Sequence, residues 1–325
     1  MAVSGLDEPD VSVVIPCYNG EAFVTDAVSS VLAQTHRSIE CIIVDDASTD
    51  GSGKAIVDLA AADNRVRPIL LSKNVGVSGA RNKGIESAKG KWIAFLDADD
   101  LYQKDRIERL LEIASATGAD IVADRQSVRK FPDGPHAHFA FDFLAVEQPI
   151  QIDRDLFFRE SSRIPCKLDV GYMKPIFRRS YLQQSGLRFD ARYNVAEDFL
   201  LFSDCVCRDA RFFGTSYAGY IYRRRPSSLS RHGSSAVILR STAEVCDEIV
   251  RRYGATLSSR CRTFIERRKV VLERFAAFVE LRSAFRERKW AQCYDIVVAQ
   301  PTLPLLVGGM VARKVIARPV APSAD

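Results

Sequence analysis

A short apolar run that stops at a cluster of carboxylates limits the folds open to this chain. Residues 92–100 read WIAFLDADD, so Asp97, Asp99 and Asp100 follow five apolar residues directly. The run has the length and the aromatic and β-branched content of a buried strand rather than a helix. The acids are therefore predicted to lie at the carboxyl end of a strand, where open α/β sheets bind their ligands.

These crowded acids allow two interpretations. Carboxylates a few ångströms apart repel one another unless a cation lies between them, which favours a divalent metal site. Asp99 or Asp100 could instead cap a helix that begins near Gln103, because acids are common in the first turn of a helix. The stretch alone does not choose between a metal site and a helix cap.

Composition and charge are those of a globular protein with two unlike parts. The 325 residues suffice for one large or two modest domains, with 47% apolar and 27% charged residues. Residues 208–325 carry 22 Lys and Arg against 10 Asp and Glu, whereas residues 1–207 carry 24 against 31. An acidic first part with a basic tail predicts a metal-using half joined to a segment that meets an anionic partner.

The cysteines and the chain termini indicate a cytoplasmic protein. Of the eight cysteines only Cys205 and Cys207 are close, without the second pair that a zinc site needs, so reduced and buried thiols are expected. The N-terminus does not resemble a signal peptide, and no apolar run has the length of a transmembrane helix.

Apolar strands alternate with amphipathic helices along the first part of the chain. Strands are predicted at residues 11–15, 41–44, 67–71 and 92–96, and a helix is predicted after each. Strands that are apolar on both faces are typical of a parallel sheet covered by helices on both sides. The predicted fold class is α/β, a Rossmann-like and mostly parallel sheet with an added C-terminal helical segment.

Polar groups follow three of these strands: Pro16 to Asn19, Asp45 with Asp46, and Asp97 to Asp100. The ends of parallel strands meet at one edge of a sheet, so these groups are predicted to share a cleft. The first strand is followed by neither a G-x-G-x-x-G nor a G-x-x-x-x-G-K-[ST] loop, which argues against a dinucleotide dehydrogenase and a P-loop enzyme. A nucleotide would instead meet carboxylates at its base and ribose, with Mg²⁺ or Mn²⁺ on its phosphates.

Four segments in register resemble glycosyltransferase family 2. They read VSVVIPCYN at 11–19, IVDDASTDG at 43–51, NVGVSGARNKG at 74–84 and FLDADD at 95–100. The resemblance is clear over residues 11–125 and looser to about residue 235. It implies a GT-A fold, a nucleotide-sugar donor that is usually a UDP-sugar, a divalent cation, and inversion at the anomeric carbon.

The resemblance also implies roles for single residues. The donor would be bound by Pro16, Tyr18, Asn19, Glu21, Asp45, Asp46, Asn74, Arg81, Asp97 and Arg225. Asp45 and Asp46 are alternatives for contacting the uracil or ribose, and their spacing does not choose between them. Asp99 would bind the metal, with Asp97 as its partner or near the ribose, while Asp100 would cap the next helix.

An inverting transfer also needs a general base for the acceptor hydroxyl. The resemblance implies an acidic pair about a hundred residues after the metal motif, and Glu197-Asp198 fits, with Asp198 as first choice. The alternative is that both acids only begin a helix. Arg225 stands where many relatives have histidine; it would stabilise the leaving diphosphate, or else belong to a solvated basic run.

The expected organisation has four parts. Residues 1–10 form a disordered N-terminus, residues 11–130 a nucleotide-sugar-binding half, residues 131–234 an acceptor-binding half and residues 235–325 a basic helical region. His136 and His138 are interpreted as loop residues without a metal role. The apolar and then basic segment 303–316 would dock on the core as a terminal helix or lie on an anionic membrane surface.

The predicted function is transfer of one sugar from a nucleotide-sugar to a saccharide or lipid-linked saccharide in polysaccharide biosynthesis. The chain resembles bacterial enzymes of exopolysaccharide assembly. Its expected location is the cytoplasm, or a peripheral position at the inner face of the plasma membrane. No nucleic-acid partner is expected. A sugar-phosphate nucleotidyltransferase would carry a Gly-rich basic loop after the first strand. An inactive sugar-nucleotide-binding relative would have a damaged site, whereas Asp97, Asp99 and Asp198 are present.

Overall fold

A computed structural model of the protein describes residues 8–131, 134–163, 170–193, 195–224 and 236–300. The strands of this part are β1 Val11–Cys17, β2 Ile39–Asp45, β3 Val66–Leu70, β4 Trp92–Phe95, β5 Leu101–Tyr102, β6 Ile121–Lys130, β7 His136–Ala140, β8 Ile150–Gln151, β9 Ile176–Arg178 and β10 Phe212–Arg224. Its α-helices are α1 Val24–Leu32, α2 Ser52–Ala62, α3 Gly76–Ser87, α4 Arg106–Thr117, α5 Arg154–Ser161, α6 Arg179–Ser185, α7 Glu197–Cys207, α8 Ala236–Tyr253, α9 Ser259–Arg286 and α10 Trp290–Ala299.

The strands pair into one mixed sheet. Its order is β3-β2-β1-β4-β9-β6-β10-β5, with β7 beside β6 and β8 beside β10. The first four strands in this order are parallel, as the alternation of strands and helices predicts. β9 runs antiparallel to both β4 and β6, and so joins this parallel half to a second half in which β6 and β10 are parallel. The predicted α/β class is confirmed, with the parallel character concentrated in the first half.

Both faces of the parallel half are buried because its strands are apolar at successive positions. Val14, Ile42 and Phe95 face one hydrophobic core. The alternate positions of the same strands, among them Ile15 and Ile43, face a second core. Helix α3 covers the first face, and α1 and α4 cover the second. This arrangement is the one expected for a parallel sheet with helices on both sides.

Helix α3 approaches β1 closely at a glycine. A Cβ atom on Gly84 would lie 2.2 Å from Cγ1 of Val14. Only a residue without a side chain allows this approach. The contact fixes the distance between α3 and the sheet, and with it the position of Arg81, which lies about one turn earlier on the same helix.

The C-terminal helices are present as predicted, and the buried stripe of α9 includes a charged side chain. Val270, an apolar residue of the same helix, is exposed. The buried positions are Cys261, Ile265, Arg268, Leu272, Ala276, Ala277 and Ala284. Arg268 is fully buried, donates to the carbonyl oxygen of Ser161 over 2.8 Å, and lies 4.0 Å above the ring of Phe199. A purely apolar periodicity would not identify this stripe, because Arg268 is part of it.

Two local expectations are wrong. His136 and His138 belong to strand β7 rather than a loop, because the residues pair antiparallel with β6. The helix expected near Gln103 begins at Arg106, because the short strand β5 pairs with β10 first.

Parts of the predicted organisation lie outside the described residues. These are residues 1–7 of the N-terminal segment, Arg225, and the segment 303–316. Among the described helices, none combines the length and the apolar character needed to cross a bilayer.

Candidate active site

Three strand ends come together at one edge of the sheet. Cys17 at the end of β1 pairs with Asp45 at the end of β2, and Val14 pairs with Phe95 at the end of β4. The ends of these strands and the loops that follow them carry most of the residues predicted to bind a donor. The structure therefore brings these loops to a single edge, as expected from the parallel pairing.

Asn19 and Glu21 join the first two of these loops. The backbone N–H of Asn19, at φ 50°, donates to Ser48 Oγ over 2.9 Å, and its Oδ1 accepts from the backbone N–H of Thr49 over 2.8 Å. Glu21 Oε2 accepts from the backbone N–H of Gly51 over 3.0 Å. Asn19 is held in the left-handed region that asparagine tolerates best among residues with side chains. Both side chains therefore shape the edge by bracing its loops.

Pro16 and Tyr18 differ in exposure at the same edge. Pro16 is half-buried and pairs in register with Val44. Tyr18 is 54% exposed. An exposed aromatic ring next to hydrogen-bonding groups is suited to stacking on a planar ligand.

Asp45 and Asp46 have different environments. Asp46 Oδ1 accepts from the backbone N–H of Val75 over 2.7 Å, and its carbonyl oxygen accepts from Asn74 Nδ2 over 3.1 Å. Asp45 Oδ2 accepts from the backbone N–H of Ser48 over 3.3 Å, while its buried Oδ1 has no hydrogen-bond partner among the described residues. A buried acceptor without a partner costs free energy unless a ligand donates to it. Asp46 and Asn74 thus fix the start of α3, and Asp45 has an oxygen left for a ligand.

Arg81 is the centre of a buried charge cluster. Its Nη1 donates to Glu197 Oε1 over 2.9 Å and to Asp198 Oδ1 over 3.0 Å, and its Nη2 donates to Asp97 Oδ1 over 3.0 Å. The guanidinium also lies 5.1 Å from the centre of the Phe189 ring. Burial opposes its charge, but the three carboxylates outweigh burial and raise the pKa of Arg81. Arg81 therefore stays protonated and links the end of β4 to the start of α7.

Lys174 completes this cluster and was not identified from the sequence. Its Nζ lies 2.8 Å from Asp198 Oδ2 and 3.2 Å from Asp97 Oδ2. Burial lowers the pKa of Lys174, but Asp198 and Asp97 raise it further, so the ammonium stays charged. Three carboxylates thus share two cations. Lys174 belongs to no recognised motif. The one signal in the sequence that could have identified it is a charged residue within the mostly apolar stretch before β9.

The acids of the cluster differ in their proton affinity. Burial raises the pKa of Asp97, but Lys174 and Arg81 oppose it and bring the pKa to about 2. Burial and the neighbouring Asp198 raise the pKa of Glu197 above its ordinary value. Asp97 is therefore fully ionised at neutral pH, whereas Glu197 holds its proton more readily.

A buried arginine holds Lys174 in place. Arg106 is fully buried and donates to Asp124 Oδ2 over 2.9 Å and Oδ1 over 2.7 Å. Its Nη2 also donates to the carbonyl oxygen of Lys174 over 2.5 Å. The guanidinium lies 4.3 Å from the centre of the Tyr102 ring. This pair connects α4 and β6 to the cluster, and no sequence motif predicted it.

The loop of Asp99 and Asp100 is held from β10. Asp100 is buried and accepts from the hydroxyl of Tyr220 over 2.7 Å and the backbone N–H of Arg223 over 2.8 Å. Burial and the nearby Asp99 raise the pKa of Asp100 well above its ordinary value. The prediction that Asp100 caps a helix is wrong, because β5 follows it directly and α4 begins later. Arg223, part of the basic run in the sequence, is buried and donates from Nε to the carbonyl oxygen of Asp99 over 2.6 Å.

The carboxylates at this loop fit a metal ion whose remaining ligands come from the phosphates of a bound substrate. No group of three or more His, Cys, Asp or Glu side chains within the described ranges could hold a metal ion. Both oxygens of Asp97 already lie beside Arg81 and Lys174, whereas Asp99, two residues further along the same loop, is half-buried. Mg²⁺ is usually bound by one or two carboxylates together with substrate phosphates. Asp99 fits such a site, with Asp97 adjacent to it.

Comparison with known proteins agrees with this architecture. The model of glycosyl transferase family 2 matches residues 12–179. Succinoglycan biosynthesis protein ExoO of Rhizobium meliloti (strain 1021) is 37% identical over 69% of this chain, and the match spans 63% of that protein, less than two thirds of its length.

Two solved structures are similar in fold. S. aureus TarS 1-349 in complex with UDP-GlcNAc has a TM-score of 0.62 and 20% identity, covering 90% of this chain and 81% of that one. The mannosyltransferase PcManGT from Pyrobaculum calidifontis, in complex with GDP-Man and Mn²⁺, has a TM-score of 0.59 and 16% identity over 91% of this chain and 82% of that one. The fold is that of the GT-A glycosyltransferases, and the chain belongs to glycosyltransferase family 2.

Proposed function

We propose that this glycosyltransferase moves one sugar, with inversion, from a nucleotide-sugar to a saccharide or lipid-linked saccharide during bacterial polysaccharide biosynthesis. The observation that carries the proposal is the cluster in which Arg81 joins Asp97 to Glu197 and Asp198. It connects the strand end expected to bind the donor with the acids expected to activate the acceptor. Membership of family 2 and the likeness to ExoO support the reaction class and the pathway.

The donor would bind to the half formed by residues 11–130. Tyr18 would stack on the base, with Pro16 beside it, and Asp45 would accept a hydrogen bond from the base or ribose through its unpaired Oδ1. Asn19, Glu21, Asp46 and Asn74 would act indirectly by fixing the loops. A UDP-linked donor is the first expectation, supported by the similar fold of TarS, which was solved with UDP-GlcNAc.

A divalent cation, Mn²⁺ or Mg²⁺, would be held by Asp99 with Asp97 beside it. When bound it would neutralise the diphosphate and so improve the leaving group. The Mn²⁺ in the similar structure of PcManGT supports this assignment. Arg225 lies outside the described residues; our proposal gives its guanidinium a contact with the leaving diphosphate.

Asp198 would act as the general base. The acceptor oxygen attacks the anomeric carbon, the bond from that carbon to the diphosphate oxygen breaks, and the hydroxyl proton passes to an Asp198 carboxylate oxygen. Arg81 and Lys174 would hold this carboxylate in position. Glu197 is the second choice, because burial and Asp198 raise its pKa and so favour its protonated form.

The acceptor would bind to residues 131–234, opposite the donor. The basic region from residue 235 would favour a phosphorylated lipid carrier and a peripheral position at the inner face of the plasma membrane.

The proposal is tested first by donor binding. UDP-, GDP- and dTDP-sugars are screened for thermal stabilisation and for slow hydrolysis, with Mn²⁺ present and after its removal with EDTA. One nucleotide class should stabilise the protein, and EDTA should abolish turnover until Mn²⁺ is restored. If no nucleotide-sugar binds, the proposed function is wrong.

The general base is tested with Asp198→Asn. A positioned base contributes about 10²–10⁴ in rate, so turnover should fall by that factor while donor affinity stays near that of the wild type. Asp209→Asn, an exposed change just beyond the same helix, serves as the control and should retain turnover. Transfer by Asp198→Asn at a near wild-type rate would rule out this residue as the base.

A further inference from the structure

Helix α10 exposes an apolar stripe that nothing in the described part of the chain covers. Trp290, Tyr294 and Val298 recur every four residues and so lie on one side of the helix. Trp290 is 60% exposed and Tyr294 71% exposed, and α10 contributes no fully buried residue. Exposed Phe285, near the end of α9, extends the stripe. These four residues form what we call the aromatic face.

The turn between α9 and α10 fixes the two ends of the aromatic face against each other. The rings of Phe285 and Trp290 meet edge to face, with centroids 5.4 Å apart and planes at 90°. The backbone N–H of Lys289 donates to the carbonyl oxygen of Ala284 over 2.9 Å, and that of Arg288 donates to Phe285 over 3.2 Å. The aromatic pair is therefore built into a hydrogen-bonded turn.

Cationic side chains surround this turn. Arg282, Arg286, Arg288 and Lys289 are all exposed, and only Glu287 among residues 282–290 carries a negative charge. Glu287 pairs with Lys289 at 2.6 Å, which leaves an excess of three arginines. Arg282 and Arg286 are four residues apart and share one side of α9.

We propose that the aromatic face, with the arginines around it, is a membrane-contact surface that binds an anionic lipid bilayer. Tryptophan and tyrosine are the side chains preferred at the boundary between headgroups and acyl chains, because each has an apolar ring and a polar tip. Arginines beside such rings add attraction to anionic headgroups. This combination of charge and ring chemistry favours a lipid surface over a purely apolar partner.

This surface is distinct from the segment 303–316, for which docking on the core and lying on a membrane are the two expected alternatives. It lies wholly within described residues and contains none of the side chains proposed to bind the donor or the metal. The inference rests on the proposed function, because it assigns the peripheral position of the basic region from residue 235 to particular side chains. Its occupation would hold the glycosyltransferase at the surface where a lipid-linked acceptor resides, without supplying any chemical step.

The two tryptophans of the chain provide a direct test. Trp92 is buried in the core, whereas Trp290 lies on the aromatic face. Adding vesicles that contain 30% phosphatidylserine to the full-length protein should therefore shift tryptophan emission to the blue, and brominated lipids should quench it. Both effects should be absent in Trp290→Phe and with vesicles of phosphatidylcholine alone.

Vesicle flotation measures the affinity. The triple variant Phe285→Ser/Trp290→Ser/Tyr294→Ser should lose at least tenfold in vesicle affinity. Val237→Ser removes an equally exposed side chain from α8 (74% exposed) and should bind as the wild type does. Arg282→Glu/Arg286→Glu should weaken binding by about fivefold or more for each residue, whereas Arg267→Glu, about four turns earlier on α9, should not.

Three results would overturn the proposal. Equal flotation of the triple variant and the wild type would assign lipid binding to another segment. A Trp290 emission spectrum that is unchanged by added vesicles would mean that the aromatic face does not contact lipid. Concentration-dependent dimerisation that buries Trp290 without lipid would identify a second copy as its occupant. The thermal stabilisation of the protein by the nucleotide-sugar donor should be unchanged in every variant. Failure of the proposed lipid contact can therefore be distinguished from failure of the proposed sugar transfer.

Discussion

Asp45 and Asp46 are adjacent in the chain, but their carboxylates make different hydrogen bonds. Asp46 uses one carboxylate oxygen to hold the backbone N–H of Val75, at the entry to α3. Asp45 keeps a buried oxygen without a partner within the described ranges. The sequence spacing does not separate the two residues, whereas their hydrogen bonds differ, which favours Asp45 as the proposed ligand contact.

We therefore expect Asp45→Asn and Asp46→Asn to have different effects. Asp45→Asn should weaken donor binding by about tenfold, equivalent to about 1.4 kcal/mol, because it weakens a hydrogen bond that only the ligand completes. Asp46→Asn should instead lower the free energy of unfolding by about 1.5–3 kcal/mol, the usual value of a hydrogen bond to a charged group. Donor titration by calorimetry and urea unfolding distinguish these outcomes, and a reversed pattern would transfer the ligand role to Asp46.

Lys174 is the second cation of the charge cluster, and its loss should be costly. Lys174→Met leaves Asp97, Glu197 and Asp198 with Arg81 alone, and breaking a buried ion pair typically costs about 3–5 kcal/mol. We expect a loss of about 3 kcal/mol in urea unfolding, and a fall in kcat larger than the rise in donor KM.

Two variants check that the loss comes from the buried charge. Lys174→Arg should restore part of the stability because it keeps the cation. Lys269→Met removes a lysine from a more exposed pair with Asp247 on the surface and should cost less than about 1 kcal/mol. Equal losses from Lys174→Met and Lys269→Met would contradict the role of the cluster.

The candidate site could be predicted only where its residues belong to local motifs. Tyr18, Asp45 and Asp99 follow strand ends, and a strand with its loop can be read from a few consecutive residues. Lys174, in the loop before β9, and Arg223, on β10, reach the same region from distant parts of the chain, and their side chains are buried by tertiary contacts that no local pattern encodes. The acidic pair at 197–198 was found through family resemblance, although the family model itself ends at residue 179.

Helix α3 depends on its close approach to β1. At Gly84 a methyl group would overlap the side chain of Val14, whereas at Gly53 on α2 a Cβ would lie 3.8 Å from its nearest neighbour, Asp45 Oδ2. The two glycines thus share a helical setting but differ in packing.

We expect Gly84→Ala to destabilise the protein and to impair the site. Overpacking in a core costs about 1–3 kcal/mol, and a displaced α3 would move Arg81 away from its carboxylates, so kcat should also fall. Gly53→Ala should be neutral or gain up to about 1 kcal/mol from helix propensity. Thermal unfolding and turnover measure both variants; a Gly84→Ala protein as stable and active as the wild type would contradict this packing.

Every strand after β4 escaped prediction, including the long strands β6 and β10, and the shortest ones could not have been found from periodicity. β5 and β8 have two residues each and β9 has three, too few for any periodicity to be recognised. Their existence depends on pairing with β4, β6 or β10, which are distant in sequence. The buried strands β1 to β4 and the helices that follow them were predictable because each carries its own apolar pattern.

At the scale of the whole molecule, a network of ion pairs joins helix α8 to helix α7 and the segment before it. Arg252 on α8 contacts Glu248, Asp190 and Asp204, and Glu248 also contacts Arg192 and Arg251. Asp190 and Arg192 lie just ahead of α7. The network therefore couples α8 to the segment that leads into Glu197 and Asp198.

This network should make stability depend on pH at the acidic end. Hydrogen bonds from Arg251 lower the pKa of Glu248 to about 2 despite partial burial, and those from Arg192 do the same for Asp190. Because both values are lower in the folded state, the ionised carboxylates stabilise the protein fully above about pH 4.5, and this contribution is lost as the pH falls towards 2.

Glu248→Gln should therefore lower the melting temperature at pH 7, and its difference from the wild type should shrink between about pH 4.5 and pH 2. Glu244→Gln, an exposed change one turn earlier on α8, should melt as the wild type does at every pH. Calorimetry across this range measures both. A difference between Glu248→Gln and the wild type that stays constant with pH would exclude the carboxylate as its source.

Arg81 also limits how parts of this enzyme can be exchanged. Its guanidinium pairs with acids 116 and 117 residues further along the chain, so the two halves of the domain share one set of counter-ions. A chimera that keeps residues 11–130 and takes its second half from another family member must bring two carboxylates to the same place. Without them a buried guanidinium would keep Asp97 as its sole counter-ion within the cluster. Swapping acceptor halves to alter specificity is therefore restricted to partners that match this charge pattern.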